Sequence, residues 1–175
     1  KKFFYYEKKI DIKKFEKKID FKISKNQNFI EFSEMGLDYL AKISKFIKKN
    51  SGGLLLIDYG YTDKKMKNTL QAISNHKFAN ILDDIGNVDI THNISFELFR
   101  KFTNRIGGLK NNITTQKKFL TKMGIKQRAE IISQNLNFLK KADIYYRLKR
   151  LIDEKQMGNL FKVMLIKNKK NNFKL

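Results

Sequence analysis

Leu54-Leu55-Leu56-Ile57-Asp58-Tyr59-Gly60 is the stretch on which the fold turns. Four apolar residues without a polar interruption read as a short strand, 54–58, buried on both faces. They follow Asn50-Ser51-Gly52-Gly53, turn chemistry that ends a helix. Upstream, Ser33 is placed to cap that helix. Leu37, Leu40, Ala41, Ser44 and Ile47 then recur at helical spacing, and Ile43 widens the stripe. Helix, glycine turn and buried strand together predict an α/β fold with a parallel sheet. Asp58, Tyr59 and Gly60 set a carboxylate, a phenol and a glycine at the strand's carboxyl end. An Asp-x-Gly turn leaving the sheet and a functional site both fit those three residues.

Working forward, residues 58–93 show no clear period. A loop this long is functional or disordered more often than not. It leaves the end of a strand where open α/β sheets bind ligands. Ser95 caps a predicted helix with Phe99, Phe102 and Ile106 on one stripe, stopped by Gly107-Gly108. Residues 109–113 suit a short strand. Thr115 opens a short helix with Phe119, Leu120 and Met123, ended by Gly124. Residues 126–155 are helical in character, with a break expected at 140–143. Residues 159–166 read as another buried strand, before a lysine- and asparagine-rich tail at 167–175. Working backward, Ile10 and Ile12 alternate, as do Ile19, Phe21 and Ile23. That period predicts a basic β-hairpin over 1–32, with a further short strand at 28–32.

The chain has 175 residues and a net charge of +21, from 38 Lys+Arg against 17 Asp+Glu. Such charge raises a nucleic-acid or ribosomal partner. Only five of the cations are arginines, however, and the lysines are spread along the whole chain. Phosphate-gripping surfaces favour arginine's bidentate fork. Residue types with A/T-rich codons dominate, so the charge reads as compositional drift with no specific nucleic-acid partner. With no cysteine, disulfides and thiolate metal sites are excluded. No apolar run has the length of a membrane span. The chain begins at Lys1 and its first methionine is Met35, which suggests a processed chain or a piece of a longer one.

Searches for generic motifs return little. No glycine-rich phosphate loop is present. His76 and His92 with Asp83, Asp84 or Asp89 match no metal-ligand spacing, so no metal is expected. A Ser-His-Asp triad would lack its nucleophile elbow.

The segment Ile57-Asp58-Tyr59-Gly60 resembles the Ile-Asp-Tyr-Gly motif of the MidA and mitochondrial complex I assembly family of S-adenosylmethionine-dependent methyltransferases. Further elements follow in that family's order. Thr69-Leu70-Gln71 with His76 resembles its Gly-Asp-Thr-Leu-(Arg/Gln) element and downstream histidine. Gly86-Asn87-Val88-Asp89-Ile90-Thr91 resembles its Pro-Gly-x-x-Asp-(Ile/Leu)-Thr element, and Ser95-Phe96 the (Asp/Ser)-Phe after it. Thr115-Gln116, Phe119-Leu120, Gly124-Ile125 and Arg128-Ala129 resemble its Thr-Gln-x-x-Phe-Leu-x-x-x-Gly-Ile-x-x-Arg-Ala run. Met157-Gly158-Asn159-Leu160-Phe161-Lys162-Val163 resembles its closing Met-Gly-x-Leu-Phe-Lys-Val. The likeness covers 29–166 well and 1–28 loosely. Lys67-Asn68 stands where the family has Gly-Asp, and the family's prolines are absent.

The resemblance implies an α/β fold: the C-terminal part of a Rossmann-like class I methyltransferase with an antiparallel last strand. The N-terminal cofactor-binding half would be missing. It divides the chain into a basic hairpin insertion at 1–32, the C-terminal half of the methyltransferase domain at 33–166, and the basic tail. It implies methyl transfer from S-adenosyl-L-methionine, held mainly by that missing half, to a protein arginine in support of respiratory complex I assembly. The partner would be a protein substrate, with a complex I subunit the candidate. Location would be cytoplasmic in a bacterium and the mitochondrial matrix in a eukaryote. An arginine nucleophile needs a carboxylate to orient its guanidinium, and Asp58 is the catalytic candidate. Tyr59, Gly60, Thr69, Gln71, His76, Asp89, Thr91 and Gln116 would line the substrate side. For Gln116 a structural hydrogen bond at the helix start is an equal reading. Two rivals stand beside this: a basic RNA- or ribosome-binding module, and a structural fragment without activity.

Overall fold

The computed structural model describes residues 3–173. In chain order its elements are α1 (Ile12–Ile19), α2 (Glu34–Asn50), β1 (Gly53–Tyr61), β2 (Gln71–Ser74), β3 (Lys77–Ala79), β4 (Asp89–Thr91), β5 (Ile94–Ser95), α3 (Phe96–Ile106), β6 (Leu109–Thr115), α4 (Gln116–Lys122), α5 (Ile125–Ser133), α6 (Phe138–Ile152), α7 (Met157–Leu160) and β7 (Phe161–Asn168). The fold is mixed α/β.

The main sheet has the order β5-β1-β7-β6. β7 runs antiparallel to both β1 and β6. The antiparallel last strand is therefore present, inserted between the other two. β5 adds a short parallel pairing at Gly60 and Tyr61. A second sheet, β3-β2-β4, is antiparallel throughout. It forms within the stretch whose lack of period suggested a long irregular loop. Its strands are three or four residues long, and Ala72 is the buried residue among them. Alternation that short leaves no readable signal.

Register turns the sheet's two faces into different surfaces. Leu54 pairs with Ile166 and Leu56 with Met164, and these rows pack into the core with Leu37, Leu40, Ile47, Phe96, Phe102 and Leu109. The intervening β1 residues point the other way, where Leu55 is 44% exposed, Ile57 46% and Tyr59 42%. The expectation of a strand buried on both faces is thus corrected. β1 is packed on one face, and its apolar second face is open among the described residues.

The N-terminal hairpin is also corrected: no strand forms before Gly53 among the described residues. Residues 12–19 are helix because Asp11 caps it, its carboxylate accepting from Lys13 N at 2.9 Å and Lys14 N at 3.1 Å. Ile12, Phe15 and Ile19 then share one face and pack on the core. Asp20 stops α1 in the left-handed region, at φ 50°. Glu16 is buried, with its carboxylate accepting from Ile23 N, Ser24 N and Ser24 Oγ at 2.8, 2.7 and 2.7 Å. Those donors, Ser24 first, hold its carboxyl below the usual range.

The caps read from sequence at Ser33, Ser95 and Thr115 form as expected. The helical break falls at 134–137 and not at 140–143. Asn137 supplies a cap by accepting from Lys140 N at 3.0 Å, whereas Asp143 is taken up by an ion pair with Arg147. Part of the tail is bound to the fold. β7 runs on to Asn168, whose amide donates to Ile47 O and Lys48 O at 3.1 Å and so caps α2. Asn171 donates to Gly52 O at 2.6 Å. Lys174 and Leu175 lie outside the described residues.

Candidate active site

At the carboxyl end of β1 the core-facing rows change character. Leu54·Ile166·Asn111 and Leu56·Met164·Ile113 are followed by Asp58·Lys162·Thr115. The last row replaces apolar packing with a carboxylate, an ammonium and a hydroxyl, on three adjacent strands. Asp58 is half-buried, and its Oδ1 accepts from Tyr59 N at 2.8 Å. Burial pushes the Lys162 ammonium below its usual range. Its Nζ donates to Asn159 O. Tyr59 lies on the opposite, open face, its ring 4.2 Å from that of Phe161.

Gly60 is buried. A Cβ there would stand 2.4 Å from Ile94 O and 2.6 Å from the Phe96 ring. The motif glycine thus serves the close approach of β5 and α3, and a lining role gains no support from this geometry.

Two segments hold the loop after β1. Gln27 accepts from Met66 N at 2.7 Å and donates to Lys64 O at 3.0 Å. Tyr61 Oη accepts from Lys67 N at 3.1 Å, and Lys67 pairs with Asp63 at 2.8 Å. That hydrogen bond, made while both groups stay exposed, lowers the Asp63 carboxyl from its ordinary value. Beyond them lies Glu31. Its Oε2 accepts from Thr69 N and from Leu70 N, each at 3.1 Å, and its Oε1 accepts the Thr69 hydroxyl. Thr69 Oγ1 in turn accepts from Asn93 N at 2.9 Å. His92 Nδ1 stands 3.9 Å from Glu31 Oε1. Asn93 leads directly into β5, which pairs with Gly60. Glu31 therefore ties the loop to the carboxyl end of β1.

The sequence-derived site residues separate into groups. Thr69, Gln71 and Thr91 sit together at the base of the small sheet, where Gln71 Nε2 donates to Thr91 Oγ1 at 3.2 Å. His76 is at the opposite end, in the β2–β3 turn, with Asn75 and His76 at φ 50° and 61°. Left-handed positions of this kind are what a two-residue hairpin turn requires. Asp89 pairs with Ile73, away from the base. At about 3.3 Å per residue, the strand between Gln71 and His76 spans roughly 16 Å. Among the described residues no ion pair or hydrogen bond joins Asp58 to His76 or Asp89. Gln116 is buried and donates to Leu151 O at 2.9 Å, fastening α4 to the end of α6. The bond is structural, but it is long-range and not the one expected at the helix start, which Thr115 supplies by accepting from Lys118 N.

Glu31 and Lys162 were missed as candidates. Lys162 hid inside a strand pattern read as core. Glu31 carried a usable signal, a lone charge within Phe29-Ile30-Glu31-Phe32, since a charge in an apolar run needs a partner. No cluster of three or more His, Asp or Glu suited to a metal occurs among the described residues. Hollows of about 520 and 540 Å³ beside α1 and the 62–66 loop, and one of about 960 Å³ beside β6, are lined by other residues than Asp58, Tyr59 or Thr69.

Residues 5–115 match a family described as "Putative S-adenosyl-L-methionine-dependent methyltransferase". Protein arginine methyltransferase NDUFAF7, mitochondrial, of Danio rerio is 26% identical over 131 residues, covering 73% of this chain and 30% of the relative. Its Xenopus laevis counterpart is 26% identical over 124 residues, covering 70% and 28%. The chain thus spans less than a third of the length of these relatives. Two Burkholderia thailandensis structures share the fold. One covers 84% of this chain and 41% of its own, with TM-score 0.70 and 19% identity. The other, bound to S-adenosyl-homocysteine, covers 76% and 36%, with TM-score 0.61 and 24% identity. With the family model matching well over half of its residues, the chain belongs to this S-adenosyl-L-methionine-dependent methyltransferase family.

Proposed function

We propose that these 175 residues are the C-terminal part of a Rossmann-like class I enzyme that transfers a methyl group from S-adenosyl-L-methionine to a protein arginine. The observation that carries the reading is the family match across β1 and its carboxyl end, the place where α/β enzymes of this kind do their chemistry. The relatives named as protein arginine methyltransferases support the choice of acceptor. In a eukaryotic cell the mitochondrial name of those relatives favours the matrix, and a complex I subunit is the proposed substrate. In a bacterium the cytoplasm is proposed.

The open second face of β1 fits the same reading. Leu55, Ile57 and Tyr59 form an apolar strip, and the edge of β1 from Gly53 to Tyr59 lacks a partner opposite β7 among the described residues. Exposed edges of this length are normally covered. A neighbouring strand and helix from the rest of a larger domain would cover both strip and edge. Those same parts are proposed to hold the cofactor.

Within this chain, Asp58 is the proposed orienting carboxylate for the acceptor guanidinium, and Thr69, Gln71 and Thr91 are its proposed polar surroundings. The test is calorimetry with S-adenosyl-L-methionine on the isolated chain and on the enzyme containing it, followed by mass analysis of arginine-containing protein substrates. Weak or no binding by the chain, binding by the enzyme and methylated arginine are expected. Micromolar binding by the chain alone would overturn the division of labour, and an enzyme that methylates no arginine would overturn the acceptor.

A further inference from the structure

We propose that Glu31 is a positioning residue that sets the direction of the Thr69 hydroxyl and thereby fixes the rim of the site. This rests on the reading that the carboxyl end of β1 is where the methyl acceptor binds.

Three facts make Glu31 more than a surface acid. Its side chain is only 14% exposed. Its carboxylate receives two backbone N–H groups and one hydroxyl from residues 38 and 39 positions away. That hydroxyl is also an acceptor for Asn93 N, just before β5. One carboxylate thus joins the segment entering β2 to the segment leaving β4, and both to the strand beside Gly60.

The direction of the hydroxyl follows from the donor count. A carboxylate has no proton to give, so the Thr69 O–H must donate to Glu31. One Thr69 lone pair is taken by Asn93 N–H. Among the described residues no further hydrogen bond takes the other, which remains an acceptor. An acceptor held in that state suits an N–H-rich group, and a guanidinium offers five such donors and no acceptor. Under the proposed function the group that meets it is the acceptor guanidinium.

Glu31→Gln separates direction from mere attachment. The amide keeps the side chain's size and one oxygen for the backbone N–H groups. Its NH₂, placed where Oε1 now sits, donates to Thr69, so the hydroxyl proton turns outward and the free acceptor is lost. Thr69→Val removes the hydroxyl altogether, and Thr69→Ser restores it.

The experiment has two arms. In this chain, amide hydrogen exchange reads the clamp. Thr69→Val should speed exchange at Asn93 roughly tenfold, as expected for one lost hydrogen bond, and Thr69→Ser should restore protection. Unchanged Asn93 exchange in Thr69→Val would overturn the clamp, whatever the enzyme does. In the enzyme containing this chain, Glu31→Gln should lower kcat for the arginine substrate at least about tenfold while leaving KM for the cofactor unchanged. A Glu31→Gln enzyme with normal kcat, tested beside an active wild type, would overturn the positioning role alone. An inactive wild type would instead count against the proposed function and leave the exchange arm as the judge of Glu31.

Discussion

The two faces of β1 are built from the same kind of residue and live in different surroundings. Leu54 and Leu56 lie against Ile166, Met164 and the helices α2 and α3, while Leu55, Ile57 and Tyr59 meet solvent. An apolar run records that both faces need cover, but not which residues give it. On the first face the cover lies in this chain. The second stays open among the described residues, and the carboxyl end of the strand sits at the boundary between the two.

The comparison is broken most directly by truncating one residue on each face. Met164 is fully buried, so Met164→Ala should destabilise the chain by about 2–5 kcal/mol. Ile57→Ala should cost under about 1 kcal/mol in this chain, since the side chain is 46% exposed among the described residues. Denaturant melts of both variants check this. In the complete enzyme the Ile57 variant should become markedly more costly. Equal costs for it in chain and enzyme would mean that the open face stays open.

A smaller effect is expected at the boundary. Gly60→Ala should cost about 1–3 kcal/mol, because the added methyl meets a backbone carbonyl and a buried ring. Thermal melts would show it, and a neutral result would mean that β5 and α3 can yield.

Glu16 gives a pH-dependent contrast on the packed side. Its carboxyl is held below its ordinary value of 4.5, so the folded state prefers it charged. Its contribution is therefore complete above about pH 4.5 and is lost as pH falls through the lowered folded value. Stability measured from pH 6 down to 3 should fall, and Glu16→Gln should flatten that part of the curve. A variant with the wild-type pH profile would remove Glu16 as the cause.

The smallest effect concerns charge. Single-stranded RNA should bind weakly at low salt and be released near physiological salt, as dispersed lysines allow. Tight binding at physiological salt would favour a nucleic-acid module.

What was legible in the sequence follows the same division. α2, β1, α3, β6, α4 and β7 were readable because each has its own period, cap or glycine stop within a few residues. α1 was misread because Ile19, Phe21 and Ile23 satisfy a two-residue period by accident, while Asp11 and the Ile12, Phe15, Ile19 stripe decide for helix. β2 to β4 carry too few apolar residues to show a period. Asp58 and Thr69 were nameable as candidates from local motifs alone. Glu31 showed only a lone charge in an apolar run; its partners lie 38 and 39 positions downstream, and only the fold brings them together.

The most direct test of the central claim is turnover of an arginine substrate by the enzyme containing this chain, wild type against Asp58→Asn. The substitution removes one negative charge with almost no change in volume. Loss of an orienting carboxylate should lower kcat by about 100-fold or more, with the melting temperature nearly unchanged. Normal turnover in the Asp58→Asn enzyme would contradict the assignment of this strand end as the site of methyl transfer.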